Sequence, residues 1–202
     1  MSFTSYGRCP SCLDAQPATC YTADHFACAR PEGEDYLHGD DGVVHGDFFN
    51  QSSFATNAIG KRRGVVKVRD DASLELLGPL GCGVQTGAGA VLNVFRMKPG
   101  QTLAVFGFGS LGLSAVMAAR IAGAGRIIAV DLHPNRLQLA TELGADEVIR
   151  AEGGPVRDRI LGLLPVGVDF ALDTTGVGPR SAAALILASP GSRTTSMRVR
   201  AG

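Results

Sequence analysis

The chain has 202 residues, enough to bury a sizeable core in one or two domains. Its 19 basic and 19 acidic side chains cancel, which removes the long-range field that would draw it to nucleic acid or an anionic membrane surface. No apolar run reaches the roughly 18 to 20 residues that span a bilayer, and "MSFTSYGRCP" lacks the basic and apolar regions of a secretory signal. Five cysteines without an export signal suit a reducing compartment, where close spacing reads as metal binding, so a cytoplasmic location is expected.

In chain order, the first feature is "RCPSCLDAQPATC", with thiols at Cys9, Cys12 and Cys20. Zinc takes four ligands in a tetrahedron, and this spacing offers three. Residues up to about 70 are otherwise loop-rich, with strand-like runs such as "GVVKVRDD" (64–71). From about residue 83 the composition shifts to Ala, Gly, Leu and Val. "TLAVF" (102–106) predicts a strand buried on both faces, and "SLGLSAVMAARIAGAG" predicts the helix after it. "RIIAVD" (126–131) predicts a second buried strand and "HPNRLQLATELGA" a second helix. "EVIRA", "VRDRILGLL" and "GVDFALDTTG" continue the alternation, which requires crossover connections and a parallel sheet.

Between the first of these strands and its helix lies "GFGSLG", a G-x-G-x-x-G turn made by Gly107, Gly109 and Gly112. Strand before and helix after is the context in which such a turn binds a dinucleotide. The first glycine permits the tight turn, the second lets a pyrophosphate approach the backbone, and the third lets the helix pack closely. The helix N-terminus then offers free N–H groups to phosphate. Asp131 ends the next strand, where a carboxylate accepts hydrogen bonds from the adenosine ribose and repels a 2′-phosphate. NAD is therefore expected over NADP, with Arg136, one turn into the next helix, in reach of the same ribose.

With thiols of zinc type ahead of a dinucleotide turn, the chain resembles the medium-chain, zinc-dependent alcohol dehydrogenases. It is most similar to their aryl-alcohol (benzyl-alcohol) branch. The likeness is carried by "GRCPSCLDAQPATC", "FFNQSSFAT", "LELLGPLGCGVQTGAGAVLN", "VFGFGSLGLSAVMAA" and "IIAVDLHPNRLQLATELGA", which together reach from residue 5 to about 176. The resemblance implies an α/β fold in two parts. Residues 1–80 would be the remainder of a GroES-like, β-rich catalytic domain with a structural zinc lobe. Residues 81–202 would be an incomplete Rossmann domain, a doubly wound parallel sheet, with 177–202 atypical.

The resemblance also implies two zinc sites. In the structural lobe, Cys9, Cys12 and Cys20 match three of four thiolate ligands, and Tyr6 stands at the fourth position. A phenol with pKa near 10 is a poor zinc ligand at neutral pH, so the site is expected to be weakened, with water, Tyr6 or Cys28 to complete it. At the catalytic zinc, Cys82 matches one of three protein ligands. The other two belong to a segment that this chain lacks, leaving an incomplete ligand set. Thr86 matches a position that packs on the nicotinamide, and 173–176 match the edge of the cofactor cleft. Phe48 and Phe49 match positions lining the substrate pocket, and His45 lies near them. His25, His38 and His133 match no catalytic position.

The tail "VGPRSAAALILASPGSRTTSMRVRAG" (177–202) reads as strandless and points to a shifted reading frame or a premature stop. Two functions follow as expectations. One is the NAD-linked oxidation of a primary, aromatic alcohol to its aldehyde, with zinc as Lewis acid and Cys82 and Thr86 in the catalytic site. The alternative is a catalytically incompetent fragment that keeps nucleotide binding and zinc binding. Small-molecule alcohols and aldehydes are the expected partners, without nucleic acid or membrane, and the family's members are homo-dimers or homo-tetramers. A zinc-ribbon nucleic-acid binder lacks its basic and aromatic footprint here.

Overall fold

A computed structural model describes residues 7–21, 38–43, 65–152 and 155–176, the backbone of 188–196, and isolated positions at 5, 56–58 and 62. The chain divides into two compact units, Met1–Leu76 and Leu77–Gly202. In the first unit a one-turn helix, α1 (Pro10–Leu13), starts directly after Cys9, with Pro10 at the position where a missing N–H costs nothing. A minimal antiparallel hairpin joins β1 (His38–Gly39) to β2 (Gly42–Val43). The run at 65–69 is not a strand. Its valines are β-formers, but Val66 is 83% exposed and no ladder partner lies beside the run among the described residues. An unpaired apolar run in water has nothing to hold it in a sheet.

The second unit opens with α2 (Gly83–Gly89), which continues into a wider π-helical stretch, Ala90–Phe95. Arg96, with φ of +50°, stops it. Five parallel strands follow: β3 (Thr102–Phe106), β4 (Arg126–Asp131), β5 (Glu147–Arg150), β6 (Val168–Asp173) and β7 (Ala188–Ser196). They lie in the order β5-β4-β3-β6-β7. The connections include α3 (Ser110–Ile121), α4 (Pro134–Glu142) and α5 (Val156–Leu163).

Strand β3 shows why the sheet needs cover on both faces. Successive side chains of a strand point to opposite sides, and β3 is apolar at every inner position. Leu103 and Val105 join a core with Val91, Phe95, Val116 and Ile127. Ala104 and Phe106 join the opposite core with Ile128, Val130 and Ile160. Phe95 stacks on Phe170 at a ring separation of 4.8 Å, tying the π-helical stretch to β6. At the start of the sheet, Asp169 Oδ2 accepts from both the N–H and the hydroxyl of Thr102 at 2.8 Å, which sets β3 against β6.

The tail departs from the sequence expectation, because Ala188–Ser196 pairs with β6 as a strand. Its register runs Val168 with Ala188, then Phe170 with Arg193, so residues 189–192 of β7 are accommodated opposite Asp169 of β6 alone. Pro190 and Gly191 fall inside that bulge, where a missing N–H and a flexible backbone do no harm. The buried strand β6 otherwise leaves its outer N–H and C=O groups unpaired, and β7 satisfies them.

The order places successive strands on both sides of β3, so the chain reverses direction across the sheet there. Open parallel sheets bind ligands at that switch, beyond the carboxyl ends of the strands. Truncating the fully buried Leu103 to alanine is expected to cost about 2–5 kcal/mol of unfolding free energy in urea titrations. The same change at Ile121, which is 82% exposed, is expected to stay within about 0.5 kcal/mol.

Candidate functional site

The turn from β3 into α3 is held by its glycines. Gly107 takes φ of +91°, its N–H donates to Val130 C=O at 2.9 Å, and its neighbours leave no room for a side chain. An added Cβ would sit 2.8 Å from Thr174 Oγ1 and 2.9 Å from Thr175 Cγ2. A Cβ on Gly112 would collide with the Gly107 carbonyl oxygen, so the first turn of α3 can rest on the loop only as glycine. Gly109 differs from both. A Cβ there would meet nothing within 4 Å, because it would project into open space at the N-terminus of α3. No side chain caps that terminus, and its first-turn N–H groups stay available. This is the arrangement a diphosphate fills.

Asp131 ends β4 across the turn, and only 7% of it is exposed. Its Oδ2 accepts the Phe108 N–H at 2.7 Å and its Oδ1 accepts the His133 N–H at 2.8 Å. Hydrogen bonds to a charged acceptor each contribute about 1.5–3 kcal/mol, so the carboxylate holds the glycine turn against the end of the next strand. Arg136 Nη1 stands 3.9 Å from the same Oδ2, with its side chain about half exposed. Gly107, Gly109, Asp131 and Arg136 all line one cleft of about 320 Å³. Thr174 and Thr175 form its opposite wall. The Thr174 hydroxyl lies 2.9 Å from the Gly107 carbonyl oxygen and 3.1 Å from that of Phe106. Asp173, itself 1% exposed, accepts the Thr175 N–H at 2.8 Å and fixes that wall from below.

Cys82 and Thr86 stand one helical turn apart on α2, and the Thr86 N–H donates to Cys82 C=O at 2.9 Å. Cys82 is exposed and Thr86 half-buried. Gly83 brings α2 close to α3, since a Cβ there would lie 2.5 Å from Ser110 Oγ, and Ser110 lines the cleft. Cys82 thus sits beside the glycine turn. No group of three metal-type ligands forms around it among the described residues.

In the first unit, Cys9, Cys12 and Cys20 converge, with their sulfur atoms all within 4.8 Å of one another. Cys9 and Cys20 are buried and Cys12 is half-buried. The Tyr21 backbone hydrogen bond, opposed by burial, lowers the pKa of Cys9 below the usual thiol range. Burial and the neighbouring Cys9 raise that of Cys12. The donors and their spacing fit zinc at three corners of a tetrahedron.

The structure thus brings Gly107, Gly109, Asp131 and Arg136 into one cleft and Cys9, Cys12 and Cys20 into one cluster. Gly112 supports the cleft from beneath. His38 is exposed on the hairpin, and His133 lines the cleft beside the glycine turn. Tyr6, His25, Cys28, His45, Phe48 and Phe49 lie outside the described residues. Sequence reasoning missed Phe108, whose backbone N–H anchors Asp131, and the bond of Thr174 to Gly107. Both are pairings between distant parts of the chain, and the only available signal was the glycine spacing itself.

Residues 110–197 match the family model described as zinc-binding dehydrogenase. The chain is 42% identical over 196 residues to a geraniol dehydrogenase of Castellaniella defragrans, covering 95% of this chain and 52% of that protein. It is 41% identical over 183 residues to a probable alcohol dehydrogenase of a Pseudomonas species, covering 88% of this chain and 57% of that one. Among solved structures it resembles an alcohol dehydrogenase zinc-binding domain protein from Burkholderia ambifaria, at 39% identity and a TM-score of 0.90. It also resembles the benzyl alcohol dehydrogenase of Acinetobacter calcoaceticus, at 35% identity and a TM-score of 0.84. Each structural match covers all of this chain and 56% of the other. The chain spans about half the length of the relatives it matches. Its residues 110–197 thus carry the zinc-binding dehydrogenase domain, and in sequence and fold the chain is similar to alcohol dehydrogenases.

Proposed function

We propose that this chain supplies the nucleotide-binding part and a structural metal lobe of an NAD-linked dehydrogenase, one that oxidises a primary aromatic alcohol to its aldehyde. The observation that carries the proposal is Asp131, a buried carboxylate at the mouth of a cleft whose phosphate end is an uncapped helix N-terminus beside Gly109. NAD, when bound, supplies the acceptor for the hydride that the alcohol carbon loses along with its hydroxyl proton.

The chain's own residues then have defined work. The N–H groups at the start of α3 bind the diphosphate, and Gly109 keeps the approach open. Asp131 accepts hydrogen bonds from the ribose hydroxyls and repels a 2′-phosphate by roughly 1–4 kcal/mol. Arg136 offsets part of that repulsion. Thr86 offers a surface for the nicotinamide, one helical turn from Cys82. Cys9, Cys12 and Cys20 would hold zinc that cross-links their lobe, a role that stabilises folding without touching substrate. At the catalytic position Cys82 is a single thiol among the described residues, so no step is derived through a metal there.

Two similar proteins, named for geraniol and for benzyl alcohol, support the substrate class. Both compounds carry their hydroxymethyl group on an unsaturated carbon. A second reading, nucleotide binding without turnover, is favoured by Cys82, around which no group of three metal-type ligands forms among the described residues.

Titrating NADH and NADPH against the zinc-loaded chain by fluorescence separates these readings when paired with an assay of NADH formation. NADH binding at least tenfold tighter than NADPH is expected, with benzyl alcohol and geraniol oxidised in preference to ethanol. Binding without turnover of any alcohol leaves the second reading, and no nucleotide binding sinks both. Gly109→Val is expected to weaken NADH at least tenfold while leaving the melting temperature nearly unchanged. Gly112→Ala is expected instead to lower stability by about 1–3 kcal/mol, because it forces the turn and helix apart. Asp131→Asn should narrow the NADH preference, read as the ratio of the two dissociation constants.

A further inference from the structure

Asp173 ends β6 with 1% of its surface exposed, too little for a ligand to reach. Its Oδ1 accepts both the N–H of Thr175, at 2.8 Å, and the Thr175 hydroxyl, at 2.7 Å. Tying down the hydroxyl selects one staggered orientation for that side chain and leaves its methyl facing Gly107. A Cβ added to Gly107 would lie only 2.9 Å from Thr175 Cγ2. Gly107 is thereby held from three sides. Its N–H is bonded to Val130, its carbonyl oxygen accepts the Thr174 hydroxyl, and its Cα rests against the Thr175 methyl. Asp173 controls the last of these.

Gly107 stands in the left-handed region, at φ of +91°, just before Gly109 opens α3. A rotation at Gly107 redirects the N–H groups that follow it, and hydrogen bonds weaken steeply as their angle closes. We propose that Asp173 is a positioning residue for the diphosphate of a bound nucleotide. By fixing Thr175 it fixes Gly107, and through Gly107 it aims the N–H groups at the start of α3. The proposal rests on the nucleotide-binding reading of the cleft. Charge alone would act in the opposite sense, because a carboxylate beneath an anion site repels the anion.

ADP and adenosine, each titrated against the full chain by NMR, separate the aiming of phosphate-binding groups from a general loss of structure. Asp173→Ala is expected to weaken ADP about fivefold, the worth of one ordinary hydrogen bond, and to leave adenosine unchanged. Asp173→Asn keeps an oxygen for Thr175 and is expected to restore ADP binding. In a Thr175→Val background ADP should already be weakened, and adding Asp173→Ala should then cost nothing further. Should Asp173→Ala not fold, Thr175→Val decides, and a folded variant with full ADP affinity overturns the proposal. Equal weakening of ADP and adenosine also overturns it, since the residue then only supports the fold. Tighter ADP in both Asp173 variants overturns it in favour of charge. An unaltered chain that binds no ADP fails the nucleotide-binding reading as well, whereas ADP bound equally by the unaltered chain and its variants fails this proposal alone.

Discussion

The burial of β3 on both faces is the constraint from which the second unit follows. A strand that is apolar at every inner position cannot face water on either side, so helices must cover the sheet above and below. That cover comes from α2, the π-helical stretch, α3 and α4 on one face, and from α5 on the other. Strands then add outward from β3 in two directions. The direction change leaves a crevice at its carboxyl end, and the glycine turn lies in that crevice. The position of the cleft is a property of the topology before any side chain lining it is considered.

Within the crevice, structural and ligand-facing roles fall on the same groups. Asp131 spends part of its hydrogen-bonding capacity on Phe108 and His133, which hold the turn, while the carboxylate still faces the cleft. Thr174 reaches from the end of β6 to the Gly107 carbonyl, so the wall of the cleft and its floor are bonded to each other. Such a site is set before a ligand arrives, and little ordering is left to be done on binding.

Much of this was legible in the sequence, for identifiable reasons. "TLAVF", "RIIAVD" and "VDFAL" are runs whose burial on two faces leaves a continuous apolar signature, and each became a strand at the expected place. The cysteine cluster was legible because two thiols in adjacent turns and a third a few residues on are brought together by local chain geometry alone. The failures are equally specific. The run at 65–69 has strand composition, but composition says nothing about whether a partner strand exists. The strand at 188–196 was hidden by Pro190 and Gly191, which break a pattern yet sit harmlessly in a bulge at the sheet edge. The widening of α2 into a π-helix has no composition signal, and neither does the stacking of Phe95 on Phe170 that accompanies it.

The contact of α2 with α3 carries a consequence for how this protein can change. Gly83 and Gly87 lie one turn apart, and neither could bear a methyl group without striking Ser110, Leu111 or Ser114 of α3. The two helices therefore behave as one mechanical piece, with Cys82 and Thr86 at one corner and the phosphate-facing turn at another. A substitution that shifts α3 drags the thiol along with it. The geometry of the glycine turn and the placement of that thiol share a single degree of freedom, and evolution or engineering would have to adjust them together.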